Sequence, residues 1–166
     1  DVYVHNLIYS EEDVMGFDAT YKVLPPFRST DDREALIQGL KDGVIDFVCS
    51  DHTPEDIENK EVEFDQAAFG MIGVQTLFPL LNTVNGLSLA DKIALISEKP
   101  RAIFGLQNDR IEAGNRANIT LFNPETDHIC KGEDIYSKSK NTPLIDVTLK
   151  GEIYGLISNG VLSLHE

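Results

Sequence analysis

Residues 45–54 constrain the rest of the chain more than any other stretch. They begin as an apolar run in which Ile45, Phe47 and Val48 are too β-prone for a surface loop. They end in four consecutive polar side chains, Ser50, Asp51, His52 and Thr53, closed by Pro54. A buried strand that turns abruptly polar at its C-terminal end is the pattern of an α/β sheet or β/α barrel whose chemistry sits at the strand ends. In such a setting the Asp51 carboxylate points into the barrel mouth, where it can bind a metal or take a proton. It could equally cap the next helix, with His52 an ordinary loop histidine, and the spacing alone leaves both readings open.

Upstream, residues 1–9 read as a strand, Ser10-Glu11-Glu12-Asp13 as a polar helix start, and residues 20–23 as a second short strand ended by Pro25-Pro26. Thr30 can cap a helix whose first turn holds Asp31 and Asp32, favourable at the positive end of the helix dipole. Ala35, Leu36 and Leu40 supply its apolar stripe and Gly43 closes it. Strand, helix and strand in that order predict a βαβ unit with a parallel pair and a right-handed crossover.

Downstream, residues 55–64 are acidic, irregular and too polar for core. Residues 67–73 are small and glycine-rich, suited either to close approach of backbone to a ligand or to a tight packing turn. Helices are expected over 74–84, over 88–97 with Ser88 as cap, and over 99–106 with Pro100 at the start and Gly105 at the end. From Arg110 the pattern becomes all-β. A strand over 117–122 stops at Asn123-Pro124, residues 127–130 pair nearby, strands lie at 147–149 and 151–157, and Ser158-Asn159-Gly160 signals a hairpin. Residues 138–143 read as a loop without catalytic character.

Composition bounds the partners. Fourteen Lys and Arg stand against 28 Asp and Glu, a net charge of −14, which disfavours nucleic acid and anionic membrane. Cys49 and Cys130 suggest neither a disulfide framework nor a zinc knuckle and fit a reducing cytoplasm. No apolar run approaches the roughly 18 residues of a membrane span. The first residues lack a basic stretch followed by an apolar one and do not begin with Met, so no signal peptide is read and a piece of a longer protein is expected. Two parallel strands cannot close a barrel of eight, so the body is either a small open sheet or the last portion of a larger one.

Several motifs in one collinear order carry a family resemblance. They are residues 21–29 (Tyr-Lys-Val-Leu-Pro-Pro-Phe-Arg-Ser), 32–36, 43–46, Ser50-Asp51-His52-Thr53-Pro54 and Phe69-Gly70-Met71-Ile72-Gly73. Further on come Pro100-Arg101, Phe104-Gly105-Leu106, residues 111–114 and 117–122, and Ser158-Asn159-Gly160. Together they resemble the dihydroorotases of the amidohydrolase superfamily over nearly the whole chain. The resemblance implies an α/β fold, the C-terminal part of a (β/α)8 TIM-type barrel over residues 1–109, with residues 110–166 contributing strands to a small composite β-sandwich.

The resemblance also implies roles. Asp51 matches the aspartate ending the eighth barrel strand, which in the family ligates zinc, collects a proton from the attacking water and returns it to the leaving amide nitrogen. One or two zinc ions are implied, with the remaining ligands outside this chain. Phe69 and Gly70 match positions whose backbone contacts the pyrimidine ring. Leu24 stands where the family has a substrate-binding asparagine, Glu55 where it has a histidine that helps hold the substrate carboxylate, and Gln75 where it has a glutamate. Leucine cannot hydrogen-bond the substrate, and an anionic glutamate repels a carboxylate. His5 matches the first of a His-His-Leu pair that in the family lines the barrel and is not a metal ligand, and it is read as a structural strand histidine ahead of a functional one. His128 and His165 are read as surface residues, and Cys49 as packing ahead of nucleophile.

Three activities follow as expectations. The first is a zinc-dependent cyclic amidohydrolase interconverting carbamoyl aspartate and dihydroorotate in pyrimidine synthesis. The second is a catalytically impaired, dihydroorotase-like structural partner of aspartate carbamoyltransferase. The third is an amidohydrolase for another cyclic ureide, where a substrate without a carboxylate would suit Glu55. The missing N-terminal part of the same protein, a homo-oligomer and a cytoplasmic location complete the expectation.

Overall fold

The computed structural model describes residues 1–107 and 110–164. Strand β1 (Val2–Tyr3) is followed by 3-10 turns at Val4–Leu7, Glu11–Val14 and Ala19–Tyr21. Helix α1 (Thr30–Lys41), strand β2 (Val48–Cys49) and the single-turn helix α2 (Ile57–Lys60) come next. Helices α3 (Leu77–Thr83), α4 (Leu89–Ile93) and α5 (Lys99–Ile103) follow, α4 running into α5 through π-helical turns at Ala94–Glu98. The remainder is β3 (Ile119–Ile129), β4 (Thr148–Ser158) and β5 (Val161–Leu164).

The parallel pair expected from the sequence is present, but its first member is β1 rather than residues 20–23. Val2 pairs with Val48 and Tyr3 with Cys49. Residues 20–23 form no strand: Thr20 and Tyr21 belong to the 3-10 turn Ala19–Tyr21, opened by Asp18, whose carboxylate accepts from the Thr20 N–H at 2.8 Å. That local side-chain bond competes with extension of the backbone. The strands are also shorter than their apolar runs, because among the described residues two of each strand are paired in the ladder.

Helix α1 begins one residue earlier than expected. Ser29, not Thr30, is the cap: its Oγ accepts from the Asp32 N–H at 3.2 Å and donates to the Asp32 carboxylate at 2.7 Å. The Ser88–Asp91 pair repeats this capping box at α4. Beyond α5, Gly105 takes a positive φ of 65°, the left-handed turn that ends the helix.

In the second half, β3, β4 and β5 form an antiparallel sheet in that order. Pro124 does not stop β3. The ladder shifts register between Asn123 and Asp127, so the bulge absorbs the proline, and pairing resumes at Asp127↔Lys150. Likewise the two strands expected at 147–149 and 151–157 are one, passing through Gly151 at φ 107°. Asn159 and Gly160, both at positive φ, make the tight hairpin between β4 and β5.

One buried cluster crosses from the first half to the second. Val2, Val4, Leu40, Val48, Leu81 and Leu95 pack with Cys130, Ile135, Leu144 and Leu149. A smaller cluster of Val23, Phe27 and Met71 lies beneath Tyr9 and Tyr21. Residues 45–47 at the head of the key stretch are not strand, and Phe47 packs edge-on against Phe104.

Candidate active site

Asp51 leaves β2 in a left-handed conformation, φ 46°, two residues after the last paired strand residue. Such a φ is uncommon for a non-glycine residue and here re-aims the side chain as the strand ends. Asp51 does not cap α2: the residue preceding that helix is Asp56. Its carboxylate faces back along the parallel pair, with Oδ2 3.7 Å from Nε2 of His5 and Oδ1 3.5 Å from the Thr53 hydroxyl. Partial burial pushes the carboxyl pKa upward, opposed by the Thr53 bond.

His5, expected as a structural histidine lining the barrel, is buried, but in a 3-10 turn rather than in a strand. It follows β1 in the first 3-10 turn and is 1% exposed. Neither ring nitrogen has a hydrogen-bond partner among the described residues. Burial lowers its pKa to about 4, so the imidazole is neutral at ordinary pH. A neutral, buried, unpartnered imidazole beside a carboxylate is a donor set of the kind zinc takes. Tyr3 and Phe27 fix the ring from two sides, at centroid distances of 5.6 and 5.5 Å. His5 Nε2 and Asp51 Oδ2 thus offer two donor atoms of the types zinc takes, fewer than the three protein ligands of a catalytic zinc site. The sequence held this signal only as a lone histidine at the end of a strand. Its neighbourhood depends on the β1–β2 pairing across more than 40 residues.

A second loop lies against the first. Met71 bridges His52 in parallel fashion, and the Thr53 N–H donates to the Met71 carbonyl at 2.9 Å. The glycines at 70 and 73 are the close-approach positions: a Cβ on Gly70 would sit 2.4 Å from Thr53 Cγ2, and one on Gly73 would sit 2.1 Å from the Ser50 carbonyl oxygen. The packing-turn reading of residues 67–73 thus holds for their backbone, and Phe69 is left about half exposed at the rim. His52 Nδ1 accepts from the Gly73 and Val74 N–H groups at 3.2 and 3.5 Å.

Two lysines missed by the sequence reading hold this loop from below. Lys22 donates to the carbonyls of Phe64 and Asp65 at 2.6 and 3.0 Å, with its ammonium 4.7 Å from the Phe69 ring centroid. Lys60 donates to the carbonyls of Ala68 and Gly70 at 2.9 and 3.0 Å. Both are buried. The only hint in the sequence is a lysine inside the otherwise apolar run from Tyr21 to Leu24.

The remaining predicted residues are placed as follows. Leu24 is exposed, as a leucine freed of any hydrogen-bonding duty can be. Glu55 is half-buried, accepts from Asn59 Nδ2 at 3.3 Å, and its charge raises the pKa of the buried Lys60 against desolvation. Gln75 spans the loop after β3, donating to the Asp134 carbonyl at 2.7 Å and accepting from the Tyr136 N–H at 2.9 Å. A glutamate could not make the first of these bonds. Cys49 donates to Asp1 at 2.9 Å and burial raises its thiol pKa, so no thiolate is poised there. His128 is half-buried, its Nδ1 without a partner among the described residues. His165 lies outside the described residues.

Among the described residues no group of three or more His, Cys, Asp or Glu surrounds one point, so this chain supplies two candidate ligands, His5 and Asp51. No described helix is long and apolar enough to cross a membrane.

Comparison with known proteins gives the family and the fold. The amidohydrolase family model matches residues 5–162. A dihydroorotase from Bacillus subtilis (strain 168) is 41% identical over 170 residues, an alignment covering 100% of this chain and 40% of the relative. The L-hydantoinase (dihydropyrimidinase) from Arthrobacter aurescens superposes with a TM-score of 0.84 at 25% identity, over 96% of this chain and 37% of that one. The inactive dihydroorotase-like domain of the Chaetomium thermophilum CAD-like multifunctional protein shares the fold, with a TM-score of 0.67 at 20% identity over 96% of this chain and 42% of that one. The chain spans about 40% of the length of the relatives it matches. Its two-stranded parallel sheet with covering helices is accordingly part of a TIM-type barrel. On the strength of the match across residues 5–162, the chain belongs to the amidohydrolase family.

Proposed function

We propose that this chain belongs to a zinc-dependent cyclic amidohydrolase that interconverts carbamoyl aspartate and dihydroorotate in pyrimidine synthesis. The observation that carries the reading is the Asp51–His5 pair at the strand ends, in a chain 41% identical to a dihydroorotase. His5 and Asp51 are this chain's contribution to one or two zinc ions, and segments outside it supply the other ligands. Residues 1–109 form the barrel part and residues 110–166 the strands of a composite β-sandwich. Both cysteines are free, which suits a reducing cytoplasm.

Zinc, when bound, supplies Lewis acidity and lowers the pKa of water towards about 7. Asp51 then does the proton work. Its carboxylate, raised in pKa by partial burial, collects the proton of the attacking water and delivers it to the departing ring nitrogen. His5 stays neutral throughout, since burial holds its pKa near 4. Phe69 and Gly70 match the positions whose backbone meets the substrate ring, with Lys22 and Lys60 holding that loop in place.

Leu24 and Glu55 favour a second reading, a dihydroorotase-like partner of aspartate carbamoyltransferase without turnover of its own. The fold it shares with an inactive dihydroorotase-like domain supports this alternative. An amidohydrolase for a ureide lacking a carboxylate is the third, since neither Leu24 nor Glu55 recognises an anion. Carbamoyl aspartate cyclisation by the whole protein, with zinc measured on the same sample, separates them. Turnover with zinc bound supports the first reading. Bound zinc without turnover of carbamoyl aspartate, followed by turnover of a hydantoin or dihydrouracil, supports the third. Absence of both zinc and turnover, with co-elution beside the transferase, supports the second.

A further inference from the structure

The loop at 138–143, which looks inert in the sequence, carries the most heavily bonded side chain near the site. Asn141 is 6% exposed. Its Nδ2 donates to the Thr53 carbonyl at 3.0 Å and to the Gly70 carbonyl at 3.1 Å. Its Oδ1 accepts from the Glu55 N–H at 3.3 Å and from the Ser139 hydroxyl at 2.6 Å. Its own carbonyl accepts from the Ile72 N–H at 3.1 Å. The Ser139 hydroxyl also reaches the Glu55 carbonyl. A single side chain from the second half of the chain thus joins the loop after Asp51 to the loop after Phe69.

The chemistry explains why the residue is an asparagine. Two backbone carbonyls converge on one point from segments 17 residues apart in sequence, Thr53 and Gly70, and an amide N–H faces the same group from Glu55. Only a carboxamide offers two donors and an acceptor in one plane. Thr53 lies two residues beyond Asp51 and its hydroxyl touches that carboxylate, so where the Thr53 carbonyl is held bears on where Asp51 points. The Gly70 carbonyl is held a second time by Lys60, and the Gly70 N–H by the Lys22 carbonyl.

We infer that Asn141 is a positioning residue that locks the Asp51 loop to the Phe69–Gly70 loop and so sets the spacing between the proton-carrying carboxylate and the ring-contacting backbone. Its consequence for turnover rests on the cyclic amidohydrolase reading; the lock itself does not. The molecule supplies its own control. Asn82 Nδ2 bridges two other carbonyls, Pro124 and Lys150, at 2.8 and 3.1 Å, in contact with β3 and β4 and away from both site loops.

The test compares Asn141→Leu and Asn82→Leu in the whole protein, with Asn141→Asp as a variant that keeps shape and acceptor, replaces the two donors by a carboxylate oxygen and sets a negative charge against the Thr53 and Gly70 carbonyls. Amide hydrogen exchange at Thr53, Gly70 and Ile72 and steady-state hydrolysis of dihydroorotate, hydantoin and dihydrouracil are measured on each. The expected result is faster exchange at those amides in both Asn141 variants, near wild-type exchange in Asn82→Leu, and a roughly 10- to 100-fold fall in kcat/KM confined to the Asn141 variants. Wild-type exchange at the three amides in Asn141→Asp overturns the lock, whether or not the protein hydrolyses anything. Faster exchange with unchanged kcat and KM overturns the positioning role. Wild-type protein inactive on all three rings refutes the proposed activity instead, while the exchange comparison still decides the lock.

Discussion

At the scale of single residues, the site is a matter of which polar groups have been left unsatisfied. His5 is buried with both ring nitrogens unpartnered among the described residues, and Asp51 is a half-buried carboxylate whose protonated form burial favours. Desolvation of an unpaired carboxylate costs stability, and that cost is tolerated where function uses it. Asp51→Asn in the whole protein is therefore expected to lower turnover by about 10²- to 10⁴-fold. In the zinc-free protein the thermal midpoint at neutral pH should stay level or rise, because the raised pKa makes the ionised carboxylate a liability to the fold; a melt after chelation and an activity assay with zinc restored check both. His5→Asn should weaken zinc retention by at least the roughly 10- to 100-fold that follows loss of even an outer-shell partner. Metal analysis after dialysis against a weak chelator reads this directly, and wild-type zinc content in the variant would remove His5 from the ligand set. The residue types at these positions were plain in the sequence. That His5 and Asp51 stand 3.7 Å apart was not, because 46 residues separate them and only strand pairing joins them.

At the scale of elements, local chemistry was legible where the chain signals its own ends. The capping boxes at Ser29–Asp32 and Ser88–Asp91, Pro100 inside the start of α5 and the Asn159-Gly160 turn all act over three or four residues, and all are found near where the pattern put them. Ser29→Ala should cost about 1 kcal/mol in urea unfolding with kcat unchanged, since the cap lies on the far side of α1 from its junction with β2. Gly73→Ala makes a different demand. Its Cβ would press on the Ser50 carbonyl oxygen at 2.1 Å, so the backbone on one side must move; a loss of about 1–3 kcal/mol is expected, together with a fall in kcat/KM. The strands β1 and β2 are shorter than the apolar runs that contain them. An apolar, β-branched run specifies burial, but a strand also needs a neighbouring strand for its N–H and C=O groups, and residues 4–9 and 20–23 pair with none among the described residues. Pro124 does not end β3, because a bulge lets an antiparallel ladder step over a proline.

At the scale of the whole molecule, the proposed chemistry needs more groups than the described residues bring together. The chain spans about 40% of the length of its relatives and offers two candidate zinc ligands where a catalytic zinc site generally uses three from protein. Residues 1–166 alone should accordingly bind zinc with a dissociation constant weaker than about 1 μM. Titration calorimetry on the isolated chain and on the whole protein measures the difference, and tight binding by the isolated chain would mean that a ligand set has been overlooked. The second half is not an appendage in this respect: Cys130, Ile135, Leu144 and Leu149 share a core with β1 and β2, and Asn141 reaches both site loops. By itself the sequence determined the α/β character, the strand-end aspartate, the caps and turns, and a family resemblance carried by collinear motifs, because each of these is written in neighbouring residues. Only the tertiary structure decided which strand pairs with β2, that a buried histidine faces Asp51, and that two lysines and an asparagine hold the site loops. Those depend on backbone carbonyls brought together across tens of residues, and a carbonyl, being common to every residue, leaves no mark in a sequence.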